Sequence, residues 1–191
     1  MNTIESVCVY CGSSNGRDES HFQAGLTLGR GLADAGLRLV YGAGTKGIMG
    51  AVARGTMDAG GKVTGIIPKF LIRREANEVE LTELDELIVT EDMHQRKHGM
   101  FERADAFVAL PGGIGTLEEI IEVLSWARLG LHRKPLIVLN VNNFWSPLKE
   151  LLHHVVDSKL ADKELLNDIA FVDNVPAVFD HAESKMLRAM A

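Results

Sequence analysis

The chain lacks several things, and each shortage removes a class of protein. No apolar run approaches the roughly 20 residues that a bilayer span requires, and the polar start MNTIES does not read as a signal peptide. A soluble, cytoplasmic protein without membrane partners is expected. Positive charge is in deficit: 20 Lys and Arg stand against 26 Asp and Glu, a formal net charge of −6, which argues against a general nucleic-acid binder. Only two cysteines occur, Cys8 and Cys11. Their C-x-x-C spacing suggests a redox pair, but that motif normally opens a helix, whereas Cys8 lies in the apolar run Val7 to Tyr10. A strand and its following turn are the better placement, and two cysteines are too few to hold a metal. His94 and His98, spaced i,i+4, lack a zincin-type carboxylate, and His153 and His154 face different ways, so no metal site is expected. Linkers, repeats and low-complexity segments are also missing. One domain over residues 1–191, long enough for a full core, is expected.

What is present is an alternation of short apolar runs with amphipathic stretches. Strands are expected at Ser6 to Tyr10, Leu37 to Tyr41, Lys62 to Ile67, Leu84 to Val89, Ala106 to Leu110, Pro135 to Leu139 and Ala170 to Val172. Helices are expected at Glu19 to Ala35, Lys46 to Gly60, Glu91 to Ala104, Thr116 to Leu129, about Phe144 to Lys159, Lys163 to Asn167 and Val175 to Arg188. Continuous apolar strands separated by helices mean a mainly parallel sheet covered on both faces. The fold class is α/β, a doubly wound Rossmann-like sandwich of six or seven strands. Lys69 to Glu83, rich in Arg and Glu, is the least regular stretch.

Ligands in such folds sit beyond the C-terminal strand ends, where the glycine turns of this chain fall. PGGIGTLEE, Pro111 to Glu119, joins an apolar strand to a helix. Backbone N–H groups and the helix dipole make that junction an anion site, and phosphate is the usual occupant. Thr116 can cap the helix or donate to a phosphate oxygen, while Glu118 and Glu119 fall in the first turn, where the dipole favours carboxylates in any case. Ser13 and Ser14 follow the first strand, and GAGTKGIMG, Gly42 to Gly50, follows the second. Gly42, Gly44 and Gly47 match the dinucleotide fingerprint G-x-G-x-x-G, but after the wrong strand, and the next strand ends without the acidic residue that holds a ribose. Lys46 is misplaced for a P-loop. A nucleotide ligand is expected, without a redox or NTPase cofactor.

Before the PGGIGT strand lies Met93, His94, Gln95, Arg96, Lys97. Adjacent helical positions diverge, so only one of Arg96 and Lys97 can point straight into a given pocket. An Arg there can take a phosphate bidentately.

These residues carry a resemblance. PGGIGTLEE, preceded by MHQRK, resembles the signature of the LONELY GUY (LOG) family, often labelled possible lysine decarboxylases. CVYCGSS at Cys8 to Ser14, Gly42 to Gly50 and GIIP at Gly65 to Pro68 are similar as well. Ala43 departs from the pattern, standing where the family usually has a third glycine, and Ser125 stands where the family tends to have Thr. The resemblance implies a cofactor-free nucleoside 5′-monophosphate phosphoribohydrolase. Such an enzyme cleaves the N-glycosidic bond of an N6-substituted adenosine monophosphate, or of AMP, to free base and ribose 5-phosphate. It implies Arg96 and Glu119 as the catalytic pair. Substrate contacts are implied for Glu75, Lys97, Gly112, Gly113, Ile114, Gly115, Thr116, Leu117, Glu118 and Ser125, with Ser13, Gly42 and Gly44 added from the other turns. Family members are typically homodimers with sites completed across the interface, and Trp126, Leu129 and Leu131 would add apolar surface there. The decarboxylase label gains no support, since no segment argues for a pyridoxal phosphate lysine.

The chemistry gives these roles sense on its own. Departure of a purine leaves an oxocarbenium-like ribose, which a carboxylate near C1′ stabilises. Glu118 and Glu119 are not separable from the residues alone, and Arg96 can serve either the phosphate or the departing base. The rival reading is a nucleotide-binding carrier or sensor without catalysis on the same fold.

Overall fold

Among the described residues, short runs of β-branched and aliphatic residues form seven strands: β1 (Ser6–Tyr10), β2 (Arg38–Tyr41), β3 (Val63–Pro68), β4 (Glu86–Thr90), β5 (Ala106–Ala109), β6 (Leu136–Leu139) and β7 (Ala170–Val172). Every residue of β3, β5 and β6 is buried, as strands covered on both faces must be. The computed structural model describes residues 4–189, so the first three residues of the polar start lie outside the described residues. All strand pairs are parallel, and the order across the sheet is β4-β3-β2-β1-β5-β6-β7. The chain first winds outward from β1 to β4, then returns to the other side of β1 with β5. That reversal leaves a crevice between the ends of β1 and β5, the place where this architecture receives ligands.

The helices are α1 (Glu19–Asp34), α2 (Gly47–Asp58), α3 (Ile72–Glu75), α4 (Glu78–Leu81), α5 (Met93–Glu102), α6 (Ile114–Arg128), α7 (Ser146–Asp157) and α8 (Val175–Ala189). One face of the sheet carries α1, α2 and α8, through Leu28, Leu32, Val52 and Val178. The other carries α5, α6 and α7, through Met100, Ile120, Val123 and Leu152. Cys8 belongs to the second core and Cys11 to the first, because residues three apart on a strand face opposite ways. The two thiols are free and buried, burial pushes both well up in pKa, and they cannot form a redox pair. Among the described residues, no helix is long and apolar enough to cross a membrane.

Glycines let α1 and α2 approach closely. A Cβ on Gly29 would lie 2.2 Å from the Val52 carbonyl oxygen, and one on Gly55 would lie 2.3 Å from that of Leu26. The irregular stretch after β3 folds as a 3-10 turn, Lys69–Leu71, followed by α3 and α4. Thr45 pins it to the loop after β2: the Thr45 N–H donates to the Glu75 carbonyl at 3.0 Å, and the Asn77 N–H donates to Thr45 Oγ1 at 2.9 Å. In that loop Ala43 is fully buried with φ of 56°, a left-handed conformation uncommon outside glycine.

Candidate active site

Helix starts decide which glycine turn is open to an anion. Asp18 caps α1 through the Ser20 N–H at 2.9 Å, and Asp92 caps α5 through the Gln95 N–H at 2.8 Å. The start of α2 has no side-chain cap, but the Gly12 carbonyl accepts the Met49 N–H there at 3.1 Å. Gly113 is the N-cap of α6 and supplies no side chain. Helix α6 therefore begins two residues earlier than its apolar periodicity indicates, and Ile114, Gly115 and Thr116 present first-turn N–H groups. Nothing lies within 4 Å of a Cβ built on Gly113 or Gly115, so both face open space. Gly112 is different: a Cβ there would meet Thr116 Oγ1 at 2.2 Å and the Gly12 nitrogen at 2.9 Å. It allows β1 and the PGG turn to close on each other, while Gly113 and Gly115 stay open.

Around this helix start lies a cleft of about 330 Å³. Ser13, Gly42, Glu75, Arg96, Gly113, Ile114, Gly115, Thr116, Glu118 and Glu119 line it, together with Val9, Tyr10, Cys11, Met49, Leu71, Met93 and Met100. Cys11 and Met93 of the last group lie in the CVYCGSS and MHQRK motifs, but none of the group carries a site role from the sequence alone. Their signal is positional: Val9 to Cys11 close β1, and the methionines face inward from α2 and α5. Gly44, Gly112, Lys97, Leu117 and Ser125 do not line the cleft. A Cβ on Gly44 would meet the Met49 side chain at 2.9 Å, so that glycine serves packing. Ser125 is exposed on the outer face of α6.

Arg96 and Lys97 diverge as adjacent helical residues do. The Lys97 ammonium reaches across to α6, donating to Glu118 at 2.5 Å and Glu122 at 2.9 Å. It loses water there, yet the two hydrogen bonds hold its pKa above the ordinary lysine value. Arg96 turns the other way and is only 5% exposed. Its Nη2 donates to the Gly42 carbonyl at 2.7 Å and its Nε to the Ile66 carbonyl at 3.2 Å. Glu75 Oε2 lies 3.6 Å from Nη2, buried and otherwise without a hydrogen bond. With these donors engaged, Arg96 cannot clamp a phosphate side-on with Nε and Nη2, and acts instead as a fixed charge in the cleft wall.

The two glutamates of the motif separate by environment. Glu118 is exposed and held by Lys97. Glu119 is half-buried, and loss of water pushes its carboxyl up to about 7, against the downward pull of the Arg96 guanidinium. A carboxyl poised near neutrality in a cleft suits proton transfer or stabilisation of nearby positive charge.

A larger concavity of about 670 Å³ lies at the opposite end of the strands, lined by Arg38, Lys62, Glu86 and Asp105 among others. Its charged groups are largely engaged with each other or with the backbone. Lys62 meets Asp85 at 2.8 Å, Arg38 and Glu86 share Thr64, and Asp105 accepts the N–H groups of Glu5 and Ser6. The chemistry-bearing cleft is the smaller one.

A parallel sheet with its crevice at the β1/β5 reversal defines a Rossmann-like α/β sandwich. A molybdenum cofactor binding protein from Rippkaea orientalis has the same fold, at a TM-score of 0.71 over 97% of this chain and 99% of that one, with 21% identity. A family model described as "Possible lysine decarboxylase" matches residues 49–182. A cytokinin riboside 5′-monophosphate phosphoribohydrolase of Arabidopsis thaliana is 45% identical over 154 residues, covering 81% of this chain and 70% of that protein. The corresponding protein of Rhodococcoides fascians is 48% identical over 153 residues, covering 80% and 76%. The chain belongs to the LOG family.

Proposed function

We propose that this protein hydrolyses the N-glycosidic bond of adenosine 5′-monophosphates, N6-substituted ones included, releasing cytokinin base or adenine and ribose 5-phosphate. The single observation that carries the mechanism is Glu119, a carboxyl raised to about 7 on the same helix whose uncapped start faces the cleft. The 5′-phosphate sits on the N–H groups of Ile114, Gly115 and Thr116, which fixes the ribose over the helix. Water bonds to C1′ as the C1′–N bond breaks, and the departing base takes a proton. Glu119 stabilises the cationic ribose or handles the proton, with Arg96 and Glu75 setting the local field. No step calls on a metal or organic cofactor.

Chromatography of reactions with AMP, N6-isopentenyladenosine monophosphate and adenosine tests this reading. Base release from both monophosphates is expected, with kcat/KM for adenosine lower by about 10³-fold or more, because the phosphate anchor contributes binding energy to the transition state. Tight binding of intact monophosphates with no base release would establish the carrier reading instead.

A homodimer belongs to the same proposal. Ile114, Ile121 and Leu129, each more than 40% exposed, run with Glu118 and Ser125 along one face of α6, and Leu131 follows. A second copy seated there covers an apolar stripe that water otherwise meets, and brings Ser125 next to partner atoms. Sedimentation should give a dimer, and Ile121→Glu should give a monomer. A monomeric wild-type protein would sink this part. One cytoplasmic catalytic domain, acting on small molecules rather than nucleic acid, completes the proposal.

A further inference from the structure

The glycine loop after β2 imitates a nucleotide fingerprint, yet its first glycine faces an arginine. Arg96 Nη2 donates to the Gly42 carbonyl at 2.7 Å, and a Cβ on Gly42 would stand 2.1 Å from that same Nη2 and 3.0 Å from the guanidinium carbon. Any side chain at position 42 therefore occupies the guanidinium's seat. The orientation of the carbonyl is fixed from behind. Ala43 holds φ of 56°, and its fully buried methyl fits because residue 65 is glycine: a Cβ there would lie 2.8 Å from that of Ala43. The second carbonyl of the seat, Ile66, comes from the neighbouring strand, 3.2 Å from Arg96 Nε. Two adjacent strand ends thus form a cradle for one buried cation.

We propose that Gly42 is a positioning residue for the reaction: its carbonyl and its missing side chain together seat Arg96 in the wall of the cleft. Gly42 is then a contact of the protein with itself and not a phosphate ligand. The inference rests on the hydrolase reading for its kinetic consequence, and on geometry alone for its structural one.

The test is a double-mutant cycle between Gly42→Ala and Arg96→Lys, since lysine lacks the Nη2 atom that the new methyl would strike. On the wild-type background G42A should lower kcat for AMP by about 100-fold through misplacement of Arg96. KM should move by less than about 3-fold, because the α6 phosphate seat is untouched. On the R96K background the same change should cost less than about 3-fold in kcat, and should not lower Tm further. Equal losses on both backgrounds would overturn the proposal. So would a raised KM at unchanged kcat, which would make Gly42 a substrate contact. Should G42A alone fail to fold, R96K must restore a cooperative melt, and its failure to do so also overturns the proposal. Wild-type base release is measured in the same runs. Its absence would sink the hydrolase reading while the melting comparison still judges the cradle.

Discussion

Glu119→Gln should abolish turnover, by about 10³-fold or more in kcat, while making the folded protein more stable at alkaline pH. The two effects share one origin. The cleft strips water from this carboxyl and raises it from the ordinary 4.5 to about 7, a penalty on the ionised form that folding must bear. A carboxyl raised in the folded state binds its proton more tightly there than in the unfolded chain. Stability is therefore lost as pH rises from about 4.5 to about 7 and stays lower above it. The full penalty is on the order of 3 kcal/mol, or roughly 10 °C in Tm for a chain of this size. Gln is an uncharged isostere and escapes it. Melting curves at pH 5 and pH 8 should show little advantage for the variant at the first and a clear one at the second. A variant that keeps full activity would end the catalytic assignment, and one equally stabilised at both pH values would show that desolvation of the charge is not the cause.

A large loss of stability should come from Gly29→Ala, far from any chemistry. Helix propensity alone predicts a gain of about 1 kcal/mol for replacing an interior helical glycine with alanine. Packing reverses the sign. The new methyl would lie 2.2 Å from the Val52 carbonyl oxygen and 2.8 Å from the Thr56 nitrogen, both backbone atoms of α2 that cannot rotate aside. Either the helices separate or the chain does not fold, and a cost of about 3 kcal/mol or more is expected, near 10 °C in Tm. Thermal or urea unfolding measures it directly. A neutral or stabilising result would mean that the α1–α2 crossing is not tight.

These two cases also mark what the residues alone disclose. The strands of the sheet centre are legible because a continuous apolar run such as Ala106–Ala109 has no other stable placement than between two layers. The edge strand β4 is less so: it ends at Thr90 rather than Val89 and starts at Glu86 rather than Leu84. Among the described residues only β3 pairs with it, and Leu84 instead packs against the core from the preceding turn. The PGGIGT junction is legible as an open helix start at a strand end, since that needs only glycines without side chains and a helix behind them. The Gly42 to Gly50 loop is ambiguous, because a glycine that faces the guanidinium of a residue 54 positions away looks the same in sequence as one that faces a phosphate. Spacing predicts that Arg96 and Lys97 diverge but not which enters the cleft. That depends on the Gly42 and Ile66 carbonyls on one side and on Glu118 and Glu122 on the other, all brought together only by the fold.

The bare start of α6 has a consequence for the folding equilibrium. Asp18 and Asp92 terminate α1 and α5 with their own side chains, whereas α6 leaves that position to Gly113. In the proposed complex the phosphate of the nucleotide would take the terminator position this helix lacks, and part of the secondary structure would be supplied by the ligand. Affinity and fold stability draw on the same hydrogen bonds, so occupancy should be visible as added resistance to unfolding even with a phosphate compound that cannot be cleaved.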